Sequence, residues 1–400
     1  MKLKSVMLAA LLGLGASASA QSPTVINITG ATAFRAAMND SIIEILGGSG
    51  TCKYAFTGTQ GLSGANVAIF EGTISGQPYI IRTSQSGSTQ GVKDVVQQNT
   101  LTNYLDVTAT ATDRAVGGAN ISATGKTASA IARFSFSDVD QSQSETPSPA
   151  LPGAPVGVVP FVFLANVGTT GITNITDQLH NAQWSLGELP KSMYTGNAAD
   201  TSIVYNTGRN NGSGTRATIL SETRYGTFTN VVQWTTATSG GSEGTGTVTA
   251  IGAPNNGGYS SNSGVRAVLA RSSANVSVSS AAAAPITIIS YLTLSDAAAI
   301  SDVVGTPTAA SVAAGGPSAY AIDLTYNGVP YTENNVKNGA YTLWGYQQFY
   351  GSADITGGEQ TFFNAFTTEI PDQLNPLSTG IKISEMNVTR FGGDGGIVLP

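Results

Sequence analysis

"TSIVYNTGRNNGSGTRATIL", residues 201–220, is the stretch from which the fold is read. Its first six residues follow a strand pattern, Gly212 and Gly214 permit a tight turn, and from Thr215 the spacing becomes helical. A strand that turns through glycine into a helix leaves the first helical N–H groups unpaired at the positive end of the dipole, where an oxyanion can sit. Ser213 and Thr215 add hydroxyl donors, and Arg209 can offer a planar fork to two oxygens at once. Taken alone, the stretch also reads as a capped helix beside a surface arginine, and it lacks the lysine of a nucleotide P-loop.

Similar chemistry recurs along the chain. "INITGATAFRAAM" (26–38) is another strand, glycine turn and helix start, with Thr32, Ala33 and Phe34 at the entry. "SGSTQGVKDVV" (86–96) repeats the arrangement with Ser88, Thr89 and Gly91. "ARFSFSDVD" (132–140) is a short apolar strand that ends on Ser137 and Asp138. Three such helix starts and one arginine supply N–H and O–H donors to a single tetrahedral anion, and Asp138 is the one carboxylate among them.

The rest of the chain sets this chemistry in context. The first twenty residues hold Lys2 and Lys4, an apolar stretch from Val6 to Leu14 and the small residues Ala18, Ser19 and Ala20, the pattern of a secretory signal cleaved after about Ala20. A periplasmic or secreted protein is therefore expected, without membrane insertion, because no later run is long and apolar enough to span a bilayer. The single cysteine, Cys52, cannot form an internal disulfide and is not placed to carry a lipid. Net charge is −6 for the 400 residues, and −8 once Lys2 and Lys4 are removed, which disfavours nucleic acid as a partner. Strand-like runs such as "VGVVPFVFLAN" (156–166) and "APITIISYLTL" (284–294) alternate with amphipathic helices at 30–47 and 89–99, which predicts α/β lobes. The Gly-, Ser-, Thr- and Asn-rich region from Thr235 to Gly264 reads as a hairpin with mobile loops.

In this order the segments resemble the phosphate-binding periplasmic proteins of ABC transporters, of the type II periplasmic-binding-protein fold. "TGATAF" (29–34) is similar to the family's first phosphate loop, "GSTQGVK" (87–93) to the second, "FSFSDVD" (134–140) to its Ala-Ser-Asp turn, and "RNNGSGT" (209–215) to its Arg-x-Asp-Gly-Ser-Gly-Thr loop. "VPFVFLAN" (159–166) looks like the first crossover strand, "SNSGVRAVLAR" (261–271) with "IISYLTLSDA" (288–297) like a helix and return strand, and "NGAYTLWGYQQFY" (338–350) like a late Tyr-Pro segment. The resemblance implies a two-lobed α/β protein with two open mixed sheets flanked by helices and joined by two crossover strands. Lobe 1 would hold 21–160 and 292–400, with an extra hairpin at about 47–82, and lobe 2 would hold 161–291. It implies Thr32, Ala33, Phe34, Ser88, Asp138, Arg209, Ser213, Gly214 and Thr215 as contacts of inorganic phosphate, a membrane ABC permease as partner, a monomer, and no cofactor, metal or turnover. Departures are Asn211 where the family often has an aspartate that pairs with the arginine, Ala33 in place of a hydroxyl residue, and a second apparent insertion at 109–130.

Enzymatic signals are weaker. "GGSEG" (240–244) matches the Gly-x-Ser-x-Gly nucleophile elbow in letters, but a strand pattern follows it where a helix is required. The only histidine, His180, lies upstream of it and is expected on a polar helix face, and one histidine with one cysteine makes no zinc site. Tyr341, Trp344 and Tyr346 read as packing. Three other functions stay open at this level: a structural or adhesive secreted protein that keeps the fold, a binder of molybdate, tungstate or sulfate, and an extracytoplasmic phosphatase.

Overall fold

The computed structural model describes residues 21–58, 61–235, 250–252, 254–274, 276–278, 285–305, 320–375 and 379–400. The expected secretory signal and the "GGSEG" motif lie outside the described residues, as does half of the Thr235–Gly264 region.

One strand organises the molecule. The apolar run expected as a strand at 156–166 supplies all but the first three residues of Gly153–Ala165, buried without interruption from Val156 onward. Such a run suits a strand covered on both faces. Its first part pairs antiparallel with Trp344–Gly351, up to Pro160 opposite Trp344, and its second part with Thr287–Thr293, beginning at Phe161 opposite Thr293. Pro160 has no N–H to give a ladder, and it falls where one partner strand hands over to the other. The result is a continuous 14-stranded mixed sheet in two halves.

In the first half, Thr24–Gly30 lies parallel to both Gln77–Ser84 and Phe134–Ser137, and Phe134–Ser137 runs antiparallel to Trp344–Gly351. These three strands therefore run in the same direction as Gly153–Ala165. In the second half, Ile203–Asn206 is parallel to Thr287–Thr293, so both run against the long strand. The carboxyl ends of the two sets consequently point at each other across the middle of that strand. Open α/β sheets bind ligands at such ends.

Two expectations are corrected. Thr287–Thr293 does not carry the chain back to the first half: it is followed by Ile322–Tyr326, which also pairs with Phe163–Ala165. The return comes between Ile322–Tyr326 and Trp344–Gly351, later than residue 292. The hairpin read at about 47–82 is formed by Val67–Ile74 and Gln77–Ser84, joined by the two-residue turn Ser75-Gly76 with φ of 51° and 78°, and its second strand lies inside the sheet beside Thr24–Gly30. That pair of positive φ values matches the twist of a tight hairpin. His180 is not on a polar face. It is fully buried and stacked 4.4 Å from Trp184, and burial pushes its pKa down to about 4. The segment expected as an insertion at 109–130 covers the sheet edge, with Ala115–Val116 and Ala119–Asn120 pairing with Lys53–Phe56.

The first-half core is aromatic: Phe134, Phe136, Phe349, Phe362 and Phe366 meet ring to ring. Tyr341 and Trp344 are fully buried, and Tyr341 donates a 2.7 Å hydrogen bond to the Phe161 carbonyl of the long strand. No helix among the described residues is long and apolar enough to cross a membrane.

Candidate anion-binding site

Four strand ends deliver the candidate residues. After Gln77–Ser84 the chain turns at Gly87, with φ of 107°, into the helix Ser88–Val96. After Phe134–Ser137 comes Asp138, and after Ile203–Asn206 the Arg209 loop leads into the helix Gly214–Glu222. The sequence permits this approach because two positions carry no side chain. A Cβ on Gly214 would collide with Asp138 Oδ1 and Ser88 Oγ, and one on Gly87 would stand 2.8 Å from the Gly212 carbonyl oxygen.

Asp138 is the meeting point, and it is only 2% exposed. Ser88 Oγ of the first half donates to its Oδ1, and Thr215 Oγ1 of the second half donates to its Oδ2 at 3.2 Å. Thr218 Oγ1 donates to the Asp138 carbonyl at 2.8 Å. Burial pushes the carboxyl above the ordinary range, against the pull of Ser88, the Arg209 charge and Thr215. A carboxyl held this way readily shares a proton with a bound group.

Arg209 is buried, which removes the surface-arginine reading. Its Nε donates to the Tyr259 carbonyl at 3.1 Å, Nη1 to Asn262 Oδ1 at 2.8 Å and Nη2 to the Ser260 carbonyl at 2.7 Å. Its own carbonyl accepts from Arg216 Nη1 at 3.2 Å and Gln233 Nε2 at 2.9 Å. The guanidinium is thus oriented by its own half, and its charge acts on Asp138. Asn211, at the position of the family's aspartate, is exposed; the oxygen that meets the fork belongs to Asn262, first residue of the helix Asn262–Leu269. Ser213 caps Gly214–Glu222 by accepting from the Arg216 N–H at 3.2 Å.

Thr32, Ala33 and Phe34 precede the helix Arg35–Ile45. Their loop abuts the others through backbone bonds, Gly87 N to Gly30 O at 2.8 Å and Ala31 N to Phe136 O at 2.8 Å. Thr32 and Ala33 are half-buried, whereas the Phe34 ring is core, against the positions of Gly157 and Gly380. Among the described residues no side-chain hydrogen bond links these three to Asp138. Thr218, Asn262, Arg216 and Gln233 were missed by sequence reasoning. Arg216 and Thr218 stand in plain view in "TRATIL", but only the fold shows them facing Arg209 and Asp138.

No protein-family model and no curated protein matches the chain. Several solved structures do. One from Clostridium perfringens, assigned as a phosphate ABC transporter substrate-binding protein and solved with bound phosphate, is 11% identical, covers 90% of this chain and 100% of its own, and gives a TM-score of 0.47. An ABC-type phosphate transport receptor from Vibrio cholerae is 11% identical over 86% of this chain and 93% of its own, with a TM-score of 0.42. PstS from Borrelia burgdorferi is 12% identical over 90% and 99%, with a TM-score of 0.41. At low identity, and over most of its length, this chain is similar to substrate-binding proteins of phosphate ABC transporters.

Proposed function

We propose that this protein captures inorganic phosphate between its two halves and hands it to a membrane ABC permease, outside the cytoplasm and without turnover. The observation that carries this reading is Asp138, a buried carboxyl bracketed by hydroxyl donors from both halves beside Arg209. In a site otherwise built of donors, a carboxylate is useful only to a ligand with a proton to give, because two facing anions without one repel and leave lone pairs unpaired. Phosphate near neutral pH keeps a proton and sulfate keeps none. The helix starts at Ser88 and Gly214 supply N–H groups, and Ser213 a hydroxyl, for the remaining oxygens, while Ser88 and Thr215 spend their protons on holding the carboxyl. Closure of the halves removes water and strengthens each of these contacts. The protein works as a monomer in this reading and requires no cofactor.

Titration calorimetry on protein stripped of bound ligand tests it. Phosphate is expected to bind, and sulfate to bind more weakly by up to about 10⁴-fold, as in sites built around one obligatory hydrogen bond. Equal affinity for both would transfer the site to a proton-free oxyanion, and no binding of either would leave the fold in a structural role.

A further inference from the structure

The C-terminal residues form a small hairpin, Thr389–Phe391 against Ile397–Leu399, whose loop holds Asp394. This side chain is only 4% exposed although it lies nine residues beyond the 3₁₀ turn Ile383–Glu385. Its Oδ2 accepts the Asp140 N–H at 2.8 Å, two residues after Asp138. Its main-chain oxygen accepts from Ser221 Oγ at 2.6 Å, on the helix Gly214–Glu222, and from Gln143 Nε2 at 2.9 Å. A Cβ on Gly345 would lie 2.9 Å from Asp394 Oδ1, 3.2 Å from Thr218 Cγ2 and 3.4 Å from the Asp138 carbonyl, so all three converge over one glycine. The hairpin itself is anchored on both halves. Arg390 Nη1 donates to Glu222 Oε2 at 2.7 Å, and its guanidinium lies 4.4 Å over the Trp344 ring.

We propose that Asp394 is a positioning residue for Asp138: it fixes the turn that presents the carboxyl to the ion and ties that turn to the helix whose first residues complete the site. The proposal rests on the phosphate-binding reading above. Other bonds hold the Asp138 turn, with Ser88 and Thr215 on its carboxyl and the Gln141 N–H donating to Tyr350 Oη at 2.9 Å, but the Asp140 N–H is given to Asp394. Ser137 Oγ donates to the Val139 carbonyl at 2.7 Å, and Thr218 holds the Asp138 carbonyl. Without Asp394, the half-buried Asp140 N–H loses its acceptor, and the turn can rotate to find another.

Two substitutions on the full chain separate positioning from general stability. In Asp394→Ala the acceptor is lost, and phosphate dissociation constants from calorimetry should rise about tenfold or more, the effect of one hydrogen bond at a charged site. The phosphate-to-sulfate ratio should narrow with it. In Asp394→Asn the side-chain oxygen still accepts the Asp140 N–H, and phosphate affinity should return to within about threefold of wild type. A purely structural role would lower the melting temperature of both variants and leave the ratio unchanged. Phosphate binding by the wild type with unchanged affinity in Asp394→Ala overturns the role of Asp394 alone. Absence of phosphate binding by the wild type overturns the functional reading and this inference with it.

Discussion

At the scale of single residues, the buried carboxyls set the chemistry and leave a trace in stability. Burial pushes Asp394 up to about 7, helped by the charges of Asp140 and Asp138 and opposed by the Asp140 N–H and Arg390. Glu222, the partner of Arg390, is also raised by burial, and Tyr350 lies near enough to Asp394 to feel its charge. An unfolded aspartate titrates near about 3.9, so the folded form holds this proton more tightly. That contribution is complete below the unfolded value and is lost as pH climbs through the folded one. Asparagine at 394 cannot ionise. The melting temperature of Asp394→Asn relative to wild type, measured without phosphate, should therefore move in favour of the variant between pH 5 and pH 8. A difference that stays constant, or moves the other way, would show that Asp394 is not held in its neutral form. Ser88, Asp138, Arg209 and Thr215 could be picked out in the sequence because each follows a strand pattern and a glycine or serine turn. Asp394 and Asn262 could not, because nothing local distinguishes "GGDGG" or "SNSG" from surface loops, and their partners lie 254 and 53 residues away.

At the scale of elements, the sequence carried the strand–turn–helix units and left their partners undetermined. Residues 201–220 become Ile203–Asn206, the Arg209 loop and Gly214–Glu222. The apolar run at 284–294 becomes a fully buried strand, Thr287–Thr293. A run buried on both faces has no polar side to state its neighbours, which is why its placement as a crossing strand failed while its being a strand held. The close approach of helix Gly214–Glu222 to Ser88–Val96 has its own test. In Gly214→Ala the new methyl meets Asp138 Oδ1 and Ser88 Oγ, and the two halves must separate to admit it. Phosphate affinity should fall by about 100-fold or more, of the order of 3 kcal/mol. The helix should be little harmed, since alanine is the better helix former. Undiminished affinity in Gly214→Ala would mean that the ion is not held where these two helix starts meet.

At the scale of the whole molecule, the sheet explains why residues so far apart in sequence can converge. The direction of Gly153–Ala165 sets the direction of every strand paired to it, and the change of partner at Pro160 turns two sets of carboxyl ends toward one another. The resemblance read from ordered motifs anticipated two halves. It could not anticipate that Ile322–Tyr326 would stay with the second half, because the alternation of strands and helices records order and not pairing. What this architecture gives the site is a carboxyl gripped from both sides, and the central claim is that Asp138 accepts a proton from phosphate. The measurement that addresses it most directly is the ratio of phosphate to sulfate affinity, by calorimetry, in wild type and in Asp138→Asn. An amide can donate to a sulfate oxygen, so the ratio should collapse in the variant through weaker phosphate and stronger sulfate binding. If the asparagine variant excludes sulfate as strongly as the wild type, Asp138 does not read the proton and the account of this site is wrong.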